Sequence, residues 1–251
     1  MNGNAIPLGP TLAAVLVALA LLAATVAALG RLGVGRRVLT ASVRAALQLT
    51  AVSLVIAAVL RSLALTALFV ALMYSVASVT SARRITRSRT GLWAAVPIAA
   101  GLVPALALIL GSGLVPLTGI AIVPIAGILI GGAMTATSLS GRRALDELAT
   151  RHGEYEAALA LGFSRRAAVL EVCRPSAAQA LVPALDQTRT VGLVTLPGAF
   201  VGVLLGGASP LAAGAAQLLV LIALLAVESV AVLVAVELVA AGRLTRRADG
   251  R

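Results

Sequence analysis

Lysine is missing from this 251-residue sequence; all 20 basic residues are Arg. Without lysine there is no Walker A motif, so ATP hydrolysis of the P-loop kind is excluded from this chain. The Arg-only usage reads as codon bias in a GC-rich genome rather than as a guanidinium-specific role. A single cysteine, Cys173, and a single histidine, His152, exclude an intrachain disulfide and any Cys/His metal cluster. Charged residues are also scarce, at 12% of the chain. A soluble domain carries about a quarter, so soluble enzymes and disordered regulators are ruled out. Aromatics make up only 2%, and the formal charge of +11 is carried by Arg clusters set between apolar runs. That pattern belongs to the loops of a protein in a lipid bilayer, not to one that binds nucleic acid.

What is present is 60% hydrophobic residues, in uncharged runs of membrane-spanning length. Cutting the chain at charges and turn residues predicts an all-α, polytopic membrane protein of about seven spans, forming one transmembrane domain over 1–251. The expected spans are 11–30, 40–60, 62–82, 91–111, 114–139, a sixth ending near Gly206 and starting between Ala177 and Thr190, and 211–241. Arg residues sort by face: 31, 36, 37 and 44; 83, 84, 87 and 89; 142, 143, 151, 165, 166 and 174; 243, 246, 247 and 251. Those 18 share one side, against Arg61 on the other and Arg189 at or within span six. The positive-inside rule then predicts an outside amino terminus and a cytoplasmic carboxyl tail in the cell membrane.

The one long hydrophilic segment, at about 140–176, falls on the Arg-rich face. Leu145, Leu148, His152, Tyr155 and Leu159 recur at helical spacing. Gly162 is placed to cap that helix in the left-handed conformation, and Ser164 to open a second one. An interfacial helix on lipid headgroups would carry the same pattern. The string Glu156, Ala157, Ala158, followed by Gly162, Val172 and Pro175, resembles the EAA loop of ABC-transporter permeases, with Arg174 where that loop has Leu. A short helix with a small-residue face and a Gly corner suits a cleft in a partner ATPase.

Three longer stretches, Pro124–Met134, Ala160–Ala168 and Thr190–Pro210, resemble the FetB-type family of ABC permeases, as do Arg44, Gln48 and Leu49. The resemblance runs from about Ser42 to the end of the last span. It departs at Gly132, where the family usually has Asn, and at Ala199 and Phe200, where it commonly has two Met. It implies iron export and plant relatives in aluminium tolerance. It also implies a homodimeric permease working with a separate ATPase subunit, which would hold ATP and Mg; no cofactor is expected in this chain.

Within the spans, Gly127 and Gly131, and Gly198, Gly202 and Gly206, form GxxxG repeats, read as intrachain packing ahead of a dimer contact. Pro116, Pro124, Pro183 and Pro197 should bend or break their helices and mark gating elements. Charges at membrane depth are costly and therefore candidates for function. Asp186 and Arg189, three apart, can pair at an inner vestibule or fix the start of span six. Glu228 has no sequence-local partner, with Arg44 or Arg189 as options, and Glu237 is read as an ordinary interfacial charge. Gln48, Met134 and Thr135 complete the candidate pathway, although hydroxyls in such helices usually satisfy their own backbone. No metal ligands are identified. The leading expectation is an ABC permease subunit that exports a metal ion, iron; a stand-alone carrier driven by an ion gradient is the alternative.

Overall fold

The computed structural model describes residues 9–246; Arg247 and Arg251 lie outside the described residues. The described chain is all-α, with one isolated bridge between Val191 and Thr195. Among the described residues, six helical stretches are long and apolar enough to cross a membrane. They are α1 (Pro10–Leu29), α2 (Gly35–Val59), α3 (Leu63–Ile85), a 3-10 turn continuing into α4 (Arg89–Gly111), α5 (Gly119–Thr150) and α10 (Pro210–Ala240). Between the last two lie four short helices: α6 (His152–Ala160), α7 (Arg165–Ala178), α8 (Val182–Thr190) and α9 (Gly198–Leu205).

The chain forms two compact units, residues 1–59 and 60–251. The first is a helical hairpin. Pro10 starts α1, where its missing N–H costs nothing, and Arg31 and Gly33, at φ 51° and 68°, turn the chain into α2. Among the described residues of this unit only Ala27 of α1 and Val59 of α2 are buried.

The second unit has a dense core in which α10 packs on α4 and α5, and α3 packs on α5. Ile98, Leu102, Ala126, Leu129, Ala133 and Val227 fill its centre. At Gly101 the backbones of α4 and α10 nearly touch, since a Cβ there would lie 2.5 Å from the Val227 carbonyl oxygen. A second cluster, with Ile85, Ala144, Val169, Cys173 and Val236, joins the ends of α3, α5 and α10 to α7.

The sixth expected span is not a continuous helix. Its sequence is divided into α8 and α9 by residues 191–197, where Gly192 takes φ 82° and Pro197 stands at the α9 N-cap. Pro183 sits in the first turn of α8, so the two prolines start helices rather than kink one. Pro116 likewise precedes α5, while Pro124 lies inside it. The fifth span also differs: α5 continues eleven residues beyond 139, as one rod into the hydrophilic segment. The expected amphipathic helix is consequently interrupted at Arg151, which ends α5 and precedes α6.

Candidate coupling segment and transport pathway

The expected first helix, from Leu145 to Leu159, is split at Arg151, while the turn at Gly162 and the second helix form at the expected residues. Gly162 has φ +90°, and no atom lies within 4 Å of where its Cβ would be, so backbone conformation rather than space selects glycine there. Ser164 caps α7, its hydroxyl accepting a hydrogen bond from the Ala167 N–H at 3.2 Å. None of α6 is buried; Glu156 and Ala157 are exposed, and Ala158 is half-buried. Glu156 lies 3.4 Å from His152 Nδ1. At the corner, Leu161 is 80% and Phe163 46% exposed, two large apolar side chains flanking Gly162.

In contrast, α7 is anchored. Val169, Leu170, Val172 and Cys173 are buried, while Pro175 faces outward within the helix. The Cys173 thiol donates to the Ala144 carbonyl at 3.3 Å. Burial, with the Glu147 charge adding to it, pushes that thiol up to about 11. Two arginines tie α7 to the end of α10: Arg166 reaches Glu237 at 2.7 Å and Arg174 at 3.8 Å. Arg151 pairs with Glu147 and Glu154 across the α5–α6 joint. Its guanidinium holds the Glu154 carboxyl below the usual carboxylate range, and its own pKa is raised in return.

The candidate pathway residues fall in both units. Gln48 is exposed on α2, in the first unit, beside a cavity of about 520 Å³ that it lines with Arg44. Met134 packs at the edge of the central core, and the Thr135 hydroxyl donates to the Gly131 carbonyl at 3.0 Å, satisfying its own backbone. Ser138 bonds both to the Met134 carbonyl and to Ser81 of α3, whereas Thr137 is buried with an unpartnered hydroxyl. Asp186 and Arg189 pair only loosely, at 3.9 Å, with both side chains mostly exposed. Glu228 is buried and does not pair with Arg189, whose partner is Asp186. It faces α5 at Gly132, where a Cβ would come within 2.7 Å of its Oε1.

Beside the α8–α9 break is a cavity of about 270 Å³ lined by Val191, Leu196, Pro197, Phe200, Gln217 and Leu221. Gln217, buried on α10, accepts a hydrogen bond from the Phe200 N–H at 3.1 Å and so caps α9, whose own N-cap is a proline. The glycine repeat of α9 meets no other helix among the described residues. Gly198, Gly202 and Gly131 have no neighbour within 4 Å of a Cβ position, and among them and Gly206 and Gly127 only the last meets another helix, at Met73.

Residues 10–242 match the family described as "Uncharacterised protein family (UPF0014)". The chain belongs to that family. It is 36% identical over 203 residues to the UPF0014 membrane protein STAR2 of Oryza sativa subsp. japonica, covering 80% of this chain and 71% of that protein. It is 37% identical over 150 residues to Protein ALUMINUM SENSITIVE 3 of Arabidopsis thaliana, covering 59% and 55%. To the Escherichia coli (strain K12) "Probable iron export permease protein FetB" it is 31% identical over 141 residues, covering 56% and 54%. The matches to the latter two thus span about half of each relative's length. No solved structure matches the chain. Membership of UPF0014 agrees with the resemblance drawn from Pro124–Met134 and Thr190–Pro210, and the matched region begins earlier, at residue 10.

Three residues escaped the sequence reading of the coupling segment: Leu161, Phe163 and Glu237. The first two carried a signal, because large apolar side chains flanking a turn glycine have no core to enter. Glu237 carried one as well. A carboxylate in the last turn of a helix opposes the macrodipole and calls for a cation nearby.

Proposed function

We propose that this UPF0014 protein is the permease subunit of an ABC transporter that exports a metal ion, iron, across the cell membrane. A separate polypeptide binds and hydrolyses ATP with Mg, and two copies of the permease form the pathway. The observation that carries this reading is the exposed α6–Gly162–α7 corner. Leu161 and Phe163 present apolar surface left exposed by the described residues, on a segment whose other half is pinned to α5 and α10. An exposed apolar knob on a rigid base suits insertion into a partner's cleft. The printed name of the Escherichia coli relative supports the substrate and the direction. Open space around Gly198 and Gly202 leaves room for a helix of the second copy.

The test is co-purification in mild detergent with the cognate ATPase, followed by iron flux in vesicles. Leu161→Asp should lose the ATPase while the permease remains helical and monodisperse. Gly162→Val should retain the ATPase weakly and abolish ATP-dependent flux, because a β-branched residue resists φ +90°. Full flux by the permease alone would instead establish a carrier driven by an ion gradient, with the buried Glu228 as its first candidate.

A further inference from the structure

Arg83, Arg84 and Arg87 crowd the end of α3, with Arg89 beginning the next turn. All four are exposed, and among the described residues none of them forms an ion pair with a carboxylate. The tail folds back onto this cluster. The Thr245 carbonyl accepts from Thr90 Oγ1 at 2.9 Å and from Ser88 Oγ at 3.1 Å, which brings Arg246 to the rim. Arg246 in turn engages Asp146 at 2.6 Å.

Two cavities open here, sharing Arg83, Thr86, Arg87 and Ser88. One, of about 510 Å³, adds Arg84 and Arg246. The other, of about 580 Å³, runs from Arg89 to Val79 and Leu92. The site is therefore polar and cationic at one end and apolar at the other. Val79 and Leu92 are 42% and 65% exposed. Trp93, beside Leu92, stacks under the Arg243 guanidinium at 5.1 Å, an aromatic–cation pair of the kind suited to a membrane interface.

We propose that this cleft binds the headgroup of an anionic phospholipid, with the phosphate between Arg83 and Arg87 and an acyl chain along Val79 and Leu92. Guanidinium forks match phosphate oxygens bidentately. A bound anion also relieves the repulsion among unpaired arginines. Basic clefts at the ends of membrane helices are suited to such headgroups. A free phosphate ion would use the arginines but gain nothing from Leu92, and a zwitterionic lipid would use Leu92 but bring no net negative charge. The proposal is independent of the ABC reading.

Trp93 is the only tryptophan and adjoins Leu92 of the cleft, so its emission is a single-site probe next to the proposed acyl-chain end. Purified protein in neutral detergent is titrated with dioctanoylphosphatidylglycerol, dioctanoylphosphatidylcholine or inorganic phosphate, and adducts are counted by native mass spectrometry. Phosphatidylglycerol should give a saturable emission change and a retained adduct, and the other two probes neither. Arg83→Gln with Arg87→Gln should weaken phosphatidylglycerol binding about tenfold or more, while Arg142→Gln, outside both cavities, should not. A charge-retaining Arg87→Lys should fall between them. Equal binding of phosphatidylcholine, saturation by phosphate alone, wild-type binding in the double variant, or no adduct with no emission change would each overturn the proposal.

Discussion

Helices α1 and α10 are both long, apolar and able to cross a membrane, yet 6% of the most apolar stretch of α1 is buried against 56% for α10. Hydrophobicity places both in the bilayer but does not say which touches lipid and which touches protein. The difference lies in what interrupts the apolar run. Helix α10 carries Gln217, Glu228 and Glu237, each turned to protein: Gln217 to the Phe200 N–H, Glu228 to α5 at Gly132, Glu237 to Arg166. Helix α1 carries no ionisable side chain at all. In a membrane, where apolar surface has no drive to leave lipid, polar groups and small residues decide which faces pack.

The contrast is broken most severely at Gly101. Gly101→Val would push a side chain into the Val227 backbone and should cost about 1–3 kcal/mol or more, read as a lower melting temperature in detergent. Ala18→Val on the exposed face of α1 should stay within about 0.5 kcal/mol. If both variants melt alike, the burial difference carries no energetic weight.

A second test uses the buried base of α7. Because folding raises the Cys173 thiol from 9.0 to about 11, its contribution to stability is intact below pH 9 and is lost as the pH rises towards 11. The melting temperature should decline over that window in the native protein and less so in Cys173→Ala. At pH 8 the native thiol should resist alkylation. Rapid labelling there would mean that α7 is loosely held. Gln217→Leu should then cost about 1 kcal/mol, because it leaves the Phe200 N–H without its acceptor.

The smallest effect on stability falls at Glu237. Its pairs are partly exposed, so Glu237→Gln should cost no more than about 1 kcal/mol. It should nevertheless reduce ATP-driven flux more than Asp186→Asn, whose partner lies 3.9 Å away in solvent. That ordering reverses the expectation from membrane depth alone. Rescue of flux by Glu237→Arg with Arg166→Glu would show that the contact, rather than either charge, transmits the motion.

The sequence was legible where chemistry is local. The spans, the Gly162 corner and the Ser164 cap follow from apolar length, positive φ and a hydroxyl at the right offset. It was illegible where partners are distant. The α8–α9 break depends on Gln217 satisfying a helix end that a proline leaves open, and nothing in residues 190–206 announces an amide on α10. The glycine repeat of α9 misled for the same reason: spacing reports small surfaces, not what lies against them. Glu237 was misread because depth in a span says nothing about a cation arriving from another helix.

Gln217 and Glu237 sit on one unbroken rod. They are 20 residues apart, which at 1.5 Å per residue is about 30 Å, and the helical repeat sets them on nearly opposite sides of α10. One attachment holds α9, the other α7. A seesaw tilt of α10 about its middle therefore presses or relaxes both attachments together. Under the proposed coupling, a push on α7 would reach the mouth of the α9 cavity in phase, through a single unbroken helix.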